Sequence, residues 1–359
     1  MHSLSVDQEW ANFIKNNQLT TTIDKENKQD IYIPKVTPIY ISTQTKICYL
    51  NQNINLQEIF WDIPIIKYQT PKEGVIKKQI KINCETKKES ESLNNKIKQT
   101  KMIIINNIKY VDNPTAKLIK YKDIRKINVG VSKKDLISYR NKIKSAFYNC
   151  FVVIMRIKCN NEFKEIHIKV FNTGKLEIPG IQNDKMLTLA LDNLMEILGP
   201  LIPNLSYNKQ NIDTVLINSN FTCNYFINRE KLSHVLKYNY KMHVNYDPCS
   251  YPGIQVKFYY NITKQIQDGV CTCDTKCNKK NNKNNNNCLE ISFMVFRTGS
   301  VLIVGHCDIN ILHIVYDFLI KILKEEYKEI NIGNQEDKIK KKKKMKTKKK
   351  TIIMDLITN

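Results

Sequence analysis

The stretch VFNTGKLEIPG, Val170–Gly180, returns 125 residues later as VFRTGSVLIVG, Val295–Gly305. Aligning the chain on itself at that offset carries the match well past the glycines. Between Phe171–Leu198 and Phe296–Leu323, ten of 28 positions are identical, among them Thr173/Thr298, Gly174/Gly299, Gly180/Gly305, Leu187/Leu312, Asp192/Asp317 and Leu194/Leu319. Seven of the other 18 pairs exchange one apolar residue for another, so the two segments are expected to share one fold.

Within EIHIKVF, Ile166, Ile168 and Val170 alternate with His167, Lys169 and Phe171, which gives one aliphatic face and one face bearing polar groups and an aromatic ring. ISFMVF repeats the phase, with Ile291, Phe293 and Val295 against Ser292, Met294 and Phe296. The Thr-Gly after each strand predicts a turn into a second strand, so each copy reads as a hairpin. Beyond the hairpins the period lengthens: Leu187, Leu191, Leu194 and Leu198, and Leu312, Tyr316, Leu319 and Leu323, recur at helical spacing behind N-cap candidates Asn183 and Asp308.

Upstream, CFVVIMRI (Cys150–Ile157) and YPGIQVKF (Tyr251–Phe258) read as the strand before each hairpin. IYIST (Ile39–Thr43) and VLINS (Val215–Ser219) read as short strands followed by helical stretches near Leu56–Ile59 and Glu230–Leu236. The unit is strand, helix, several antiparallel strands and a long helix, used twice: an α+β fold. Its parts are an N-terminal segment (1–35), a first repeat (36–205) with an insert at about 83–137, a second repeat (206–330) with a Cys/Asn-rich insert at 261–288, and a Lys-rich tail (331–359).

A hydrophobic content of 42% over 359 residues suffices for a real core. The net charge of +23 favours a polyanionic partner or an anionic surface, and the tail contributes ten lysines to it. The eleven cysteines, an odd number, are mostly scattered and read as reduced thiols of an intracellular protein, and no apolar run is long enough to span a membrane.

FVVIMRI with KVFNTGKLEIPG, and YPGIQVKF with MVFRTGSVLIVG, resemble the two repeats of the TATA-box-binding protein family, including its divergent members in nucleocytoplasmic large DNA viruses. The resemblance spans roughly Pro38 to Leu323 without the inserts. It implies a monomeric, pseudo-twofold saddle: a curved antiparallel sheet whose concave face straddles the minor groove of double-stranded DNA, with helices on the convex face for transcription initiation factors and RNA polymerase. In that family apolar wedges part base steps, at a cost of about a few kcal/mol per step, and bend the duplex. It implies a transcription factor at work in a host nucleus or a cytoplasmic viral factory.

Carried over by position, the wedges fall on Cys150, Phe171, Tyr251 and Phe296. Cys150 departs from the aromatic pattern, leaving Phe151 or Phe147 to serve if the strand is offset by a residue. Phosphate contacts fall on Arg156 and Lys257, on Lys175 (Ser300 in the second copy), and on the neighbouring Lys169 and Arg297. The family's central Asn pair falls on Ile39 and Val215 and its Thr pair on Pro179 and Val304, which implies an altered reading of base edges. Phe171 and Phe296 have an alternative reading as core residues, against which the matching phase in the two copies favours a shared exposed role, and Arg156 and Lys257 have an alternative reading as a solvated sheet edge.

Cys271, Cys273, Cys277 and Cys288 form C-x-C-x3-C-x10-C in the second insert, a set that fits either a zinc site or free loop thiols. The KIKKKKKMKTKKK tail reads as a solvated arm, a non-specific DNA anchor or a nuclear address, and DQEWANFIKNN as a partner helix. No H-E-x-x-H, G-x-S-x-G or phosphate-binding glycine loop occurs, so no enzyme is expected. The alternative function is a protein-interaction scaffold of the transcription apparatus, binding a polypeptide on the aliphatic Ile39, Val215, Pro179 and Val304 face.

Overall fold

The computed structural model describes residues 32–138, 147–273, 277 and 288–334. Residues from Val36 onward form one unit, and of the segment before it only 32–35 are described. The DQEWANFIKNN stretch, the asparagine run and the lysines of the tail lie outside the described residues.

The first repeat runs β1 (Tyr40–Tyr49), α1 (Leu56–Asp62), β2 (Gly74–Cys84), α2 (Lys87–Gln99), β3 (Ile103–Asp112), β4 (Tyr121–Gly130), α3 (Lys133–Ile137), β5 (Cys150–Cys159), β6 (Glu162–Phe171), β7 (Lys175–Ile181) and α4 (Asp184–Leu198). The second runs β8 (Asp213–Thr222), β9 (Tyr225–Ile227), α5 (Arg229–Tyr238), β10 (His243–Asn245), β11 (Gly253–Asn261), β12 (Cys288–Phe296), β13 (Ser300–Gly305) and α6 (Ile309–Glu325). A short α7 (Tyr327–Ile330) and β14 (Asn331–Asn334), paired with β9, follow, so ordered structure reaches into the expected tail.

Twelve strands form one antiparallel sheet in the order β10-β11-β12-β13-β8-β1-β7-β6-β5-β2-β4-β3. From the central β8–β1 pair the order reads outward as hairpin, then preceding strand, on both sides. That junction is itself balanced. Gln44 faces Ile217, Thr43 faces Asn218 and Thr45 faces Leu216, and one extra residue bulges from each strand, Ser42 on β1 and Val215 on β8. Bulges raise local twist, and both of these lie in the strand pair at the middle of the sheet order.

The aliphatic phase of the hairpins meets the long helices. Ile166, Ile168, Val170, Leu176 and Ile178 are buried with Leu187, Ala190, Leu191, Leu194 and Leu198 of α4. Ile291, Phe293, Val295, Val301 and Ile303 are buried with Leu312, Val315, Leu319 and Leu323 of α6. Both expected caps form: Asn183 accepts from the Met186 N–H at 2.9 Å and Asp308 from the Ile311 N–H at 2.8 Å. Tyr316 departs from the expected core stripe; it lies at the margin, edge-on to Phe221, and donates its hydroxyl to the Thr37 carbonyl. No helix among the described residues is long and apolar enough to cross a membrane.

The first insert extends the sheet. β4 joins β2, β3 joins β4, and α2 is bolted to β4 by a buried polar cluster. Asp123, 1% exposed, accepts from Ser90 Oγ at 2.6 Å and from Arg125 Nε at 2.9 Å, and Arg125 also reaches Asn94 at 2.6 Å. Burial pushes the Asp123 carboxyl up, but its hydrogen bonds to Arg125 and Ser90 outweigh that and hold it below the usual carboxylate range. The folded value being depressed, its stabilisation is complete above pH ~4 and is lost as pH falls through the folded value. Asp123→Ala is expected to cost about 3 kcal/mol at neutral pH, because it strands Arg125. In urea unfolding, the gap from wild type should close on acidification.

Candidate nucleic-acid interface

The site grows from the two Thr-Gly corners. Gly174 and Gly299 sit at φ +75° and +78°, and their N–H groups donate to Phe171 and Phe296 carbonyls at 3.0 and 2.9 Å, closing the turns. Each corner is tied to the chain leaving the central strand. Leu50 and Cys223 N–H groups donate to the Gly174 and Gly299 carbonyls, and Ile54 and Ile227 to those of Asn172 and Arg297. The same three bonds in both copies hold Phe171 and Phe296 in equivalent places.

Because side chains alternate along β6 and β12, both rings lie on the face opposite the helices, and neither belongs to a core cluster. The Tyr251 ring packs edge-on to Phe296 at 5.9 Å. Gly253 lies under that pair, where a Cβ would meet both rings at 3.0 Å. Lys175 Nζ stands 5.7 Å from the Phe171 centroid.

The ladders correct the positional carry-over in the preceding strand. Cys150 faces Phe171 and Gly253 faces Phe296, so Cys150 is the counterpart of Gly253, and Tyr148 that of Tyr251. Tyr148 is half exposed with Lys81 Nζ 3.8 Å from its ring centroid, and Phe147 is exposed near Lys169. Phe151 points the other way. It is 0% exposed in the core beneath α1, 6.3 Å from Phe60, and is not available as a wedge. The offset is two residues, one full strand period, which preserves the face and shifts the position by about 7 Å.

Arg156 is likewise corrected. It is 7% exposed, donates to the Tyr68 and Thr70 carbonyls at 2.8 and 2.7 Å, and lies over the Tyr68 ring, so it secures the 68–70 loop and is not free to bind phosphate. Its ladder counterpart is Tyr259, not Lys257: Arg156 faces Glu165 and Tyr259 faces Glu290. Tyr259 is covered by the cysteine-bearing insert. The outer parts of this face are thus roofed, by the 68–70 loop over Arg156 and by the cysteine-bearing insert over Tyr259, whereas no such segment covers its centre.

Lys257 pairs with Glu290 at 3.0 Å and Lys169 with Glu177 at 2.6 Å. Such partly exposed pairs are worth about 0–1 kcal/mol, so both cations remain exchangeable. Arg297 is exposed and lines a cleft of about 530 Å³ with Arg229, Phe296, Ser300 and Leu302.

At the centre, Ile39 lies against the helix-side core and Val215 is a bulge residue, so neither is the central reader. Thr43, Leu216, Asn218 and Asn220 occupy that face instead, with Pro179 beside the buried Thr45 and Val304 beside Asn218. Asn218 Nδ2 donates to Thr43 Oγ1 at 3.2 Å. Sequence reasoning missed these amides and the Thr43 hydroxyl because the two bulges shift the phase of β1 and β8.

No family model matches the chain. It is 28% identical over 208 residues to a TATA-box-binding protein-like protein of Acanthamoeba polyphaga mimivirus, an alignment covering 52% of this chain and 50% of the relative. The chain thus spans about half the length of that curated relative. Among solved structures, Methanococcus jannaschii TBP aligns at a TM-score of 0.39 and 10% identity over 80% of this chain and 99% of its own. With the resemblance carried by its two hairpins and the similarity over half its length, this chain is a divergent relative of the mimiviral TATA-box-binding protein-like protein.

Proposed function

We propose that the chain is a transcription initiation factor that binds double-stranded DNA in the minor groove through the bare central face, bends it, and offers its helix-covered face to initiation factors and RNA polymerase. In this reading the sheet is a pseudo-twofold saddle with helices on its convex side, it acts as a monomer, and it works in a host nucleus or a cytoplasmic viral factory. The observation that carries the proposal is the matched placement of Phe171 and Phe296 at two corners, on the unroofed face, either side of a balanced central strand pair.

Phe171 and Phe296, the latter backed by Tyr251 and the former neighboured by Tyr148, are the wedges. Lys175, Arg297, Lys169 and Lys257 neutralise phosphates. The minor groove shows acceptors at A·T pairs and one added donor at G·C. The Asn218 and Asn220 amides, with Thr43, supply groups of both kinds to meet them, and deformable steps add selectivity through bending.

The Phe171→Ala/Phe296→Ala protein is expected to lose duplex bending, read by end-to-end fluorescence transfer on a labelled duplex, while its unfolding free energy from urea titration stays within about 1 kcal/mol of wild type. Retained bending would overturn the proposal. With the chain truncated after Gln335, four phosphate contacts predict a log–log salt slope of about −3 to −4. The scaffold reading, favoured by Leu216, Leu302 and Val304 on the same face, predicts a slope near zero after that truncation.

A further inference from the structure

We infer that Cys271, Cys273, Cys277 and Cys288 form a tetrahedral zinc–thiolate site that closes the connection between β11 and β12. Their four Sγ atoms lie within 4.8 Å of one another, and Cys273 and Cys288 are 3.6 Å apart. Four thiolates around zinc, each at about 2.3 Å, stand roughly 3.8 Å from one another. The set is purely thiolate, which suits zinc and disfavours calcium, magnesium or manganese.

The surroundings are built to bring the four together. Cys288 is the first residue of β12 and faces Asn261, the last of β11. Cys277 and Cys288 are 3% and 4% exposed and pack against Tyr259. The insert folds back before it reaches Cys271. Gln267 bridges Asn261 by accepting from its N–H at 2.9 Å and donating to its carbonyl at 2.8 Å. The Gly269 carbonyl then accepts from the Tyr259 N–H at 3.0 Å. Cys271 and Cys273 are delivered to the strand end by protein bonds, and the metal would find them gathered.

The first repeat shows why closure is needed there. β5 and β6 are joined by Asn160-Asn161 alone, both left-handed at φ 51° and 63°, a tight hairpin turn that fixes its own register. The second repeat has residues 262–287 instead, and closing a long loop costs entropy that a four-ligand clamp offsets.

The test is the zinc content of the full chain, purified under reducing conditions and reconstituted with Zn2+ alone. About one zinc per chain is expected, with Co2+ substitution giving the thiolate charge-transfer and visible bands of a tetrahedral site. Cys288→Ser and Cys273→Ser should each lower bound zinc at least tenfold, whereas Cys249→Ser, an exposed cysteine outside the cluster, should leave it unchanged. If a serine variant misfolds, alkylation of the wild type decides: chelation should expose these four thiols by peptide mapping and leave the other seven as they were. Absence of zinc after reconstitution, or a Co2+ spectrum without thiolate bands, overturns the inference. Because the site lies about 27 Å along β12 from Phe296, its failure is read independently of DNA bending.

Discussion

Gly299→Ala is expected to cost about 3–5 kcal/mol, a large part of the roughly 5–15 kcal/mol available to a folded domain. Two effects add. A left-handed φ of +78° costs an alanine about 1–2 kcal/mol. The new methyl would also stand 2.2 Å from the Tyr225 carbonyl oxygen and 2.8 Å from Cys223 Sγ. Neither neighbour can give way. Tyr225 is 1% exposed, donates its hydroxyl to the Leu323 carbonyl at 2.8 Å and packs edge-on to Tyr327, while Cys223 is fully buried. Gly180→Ala is the control, since φ is +88° there but nothing lies within 4 Å of the added carbon. It should cost only the backbone share, about 1–2 kcal/mol. Equal losses for the two variants in urea unfolding would show that the close approach to β9 is not what demands glycine.

The second large effect separates the two faces of the sheet. Phe151→Ala should cost about 3–5 kcal/mol, because the ring fills the core against Phe60 and its loss leaves a cavity that α1 and α4 cannot close. Phe171→Ala, on the opposite face, should cost about 1 kcal/mol or less. In duplex binding the order reverses. A folded Phe151→Ala protein should bend DNA as wild type does, and Phe171→Ala should not. Loss of bending without loss of stability in Phe151→Ala would restore that ring as a wedge.

Much of the fold was legible because its signals are local. The Thr-Gly corners, the aliphatic alternation of β6 and β12 and the caps Asn183 and Asp308 each depend on residues within one or two turns of the chain. The α+β assignment followed from them. The central strands were harder. Ser42 and Val215 are extra residues in the β1–β8 ladder, and a bulge breaks the period-two rule by which a face is read. The candidate site suffered for the same reason. A two-residue offset between β5 and β11 left faces intact but misplaced Tyr148, and the roofing of Arg156 by the 68–70 loop has no trace in its own neighbourhood.

The repeated eleven residues determined by themselves that two equivalent hairpins and helices exist and that each strand has one aliphatic and one mixed face. Alternation is a property of single strands, and it does not say what comes to cover the mixed face. Only the tertiary structure decided that the 68–70 loop and the cysteine-bearing insert close its outer parts, leave Phe171, Phe296, Asn218 and Asn220 unroofed, and gather four cysteines at the end of β12. Those outcomes depend on contacts between segments far apart in the chain, where register and packing, not local preference, set which side chains meet.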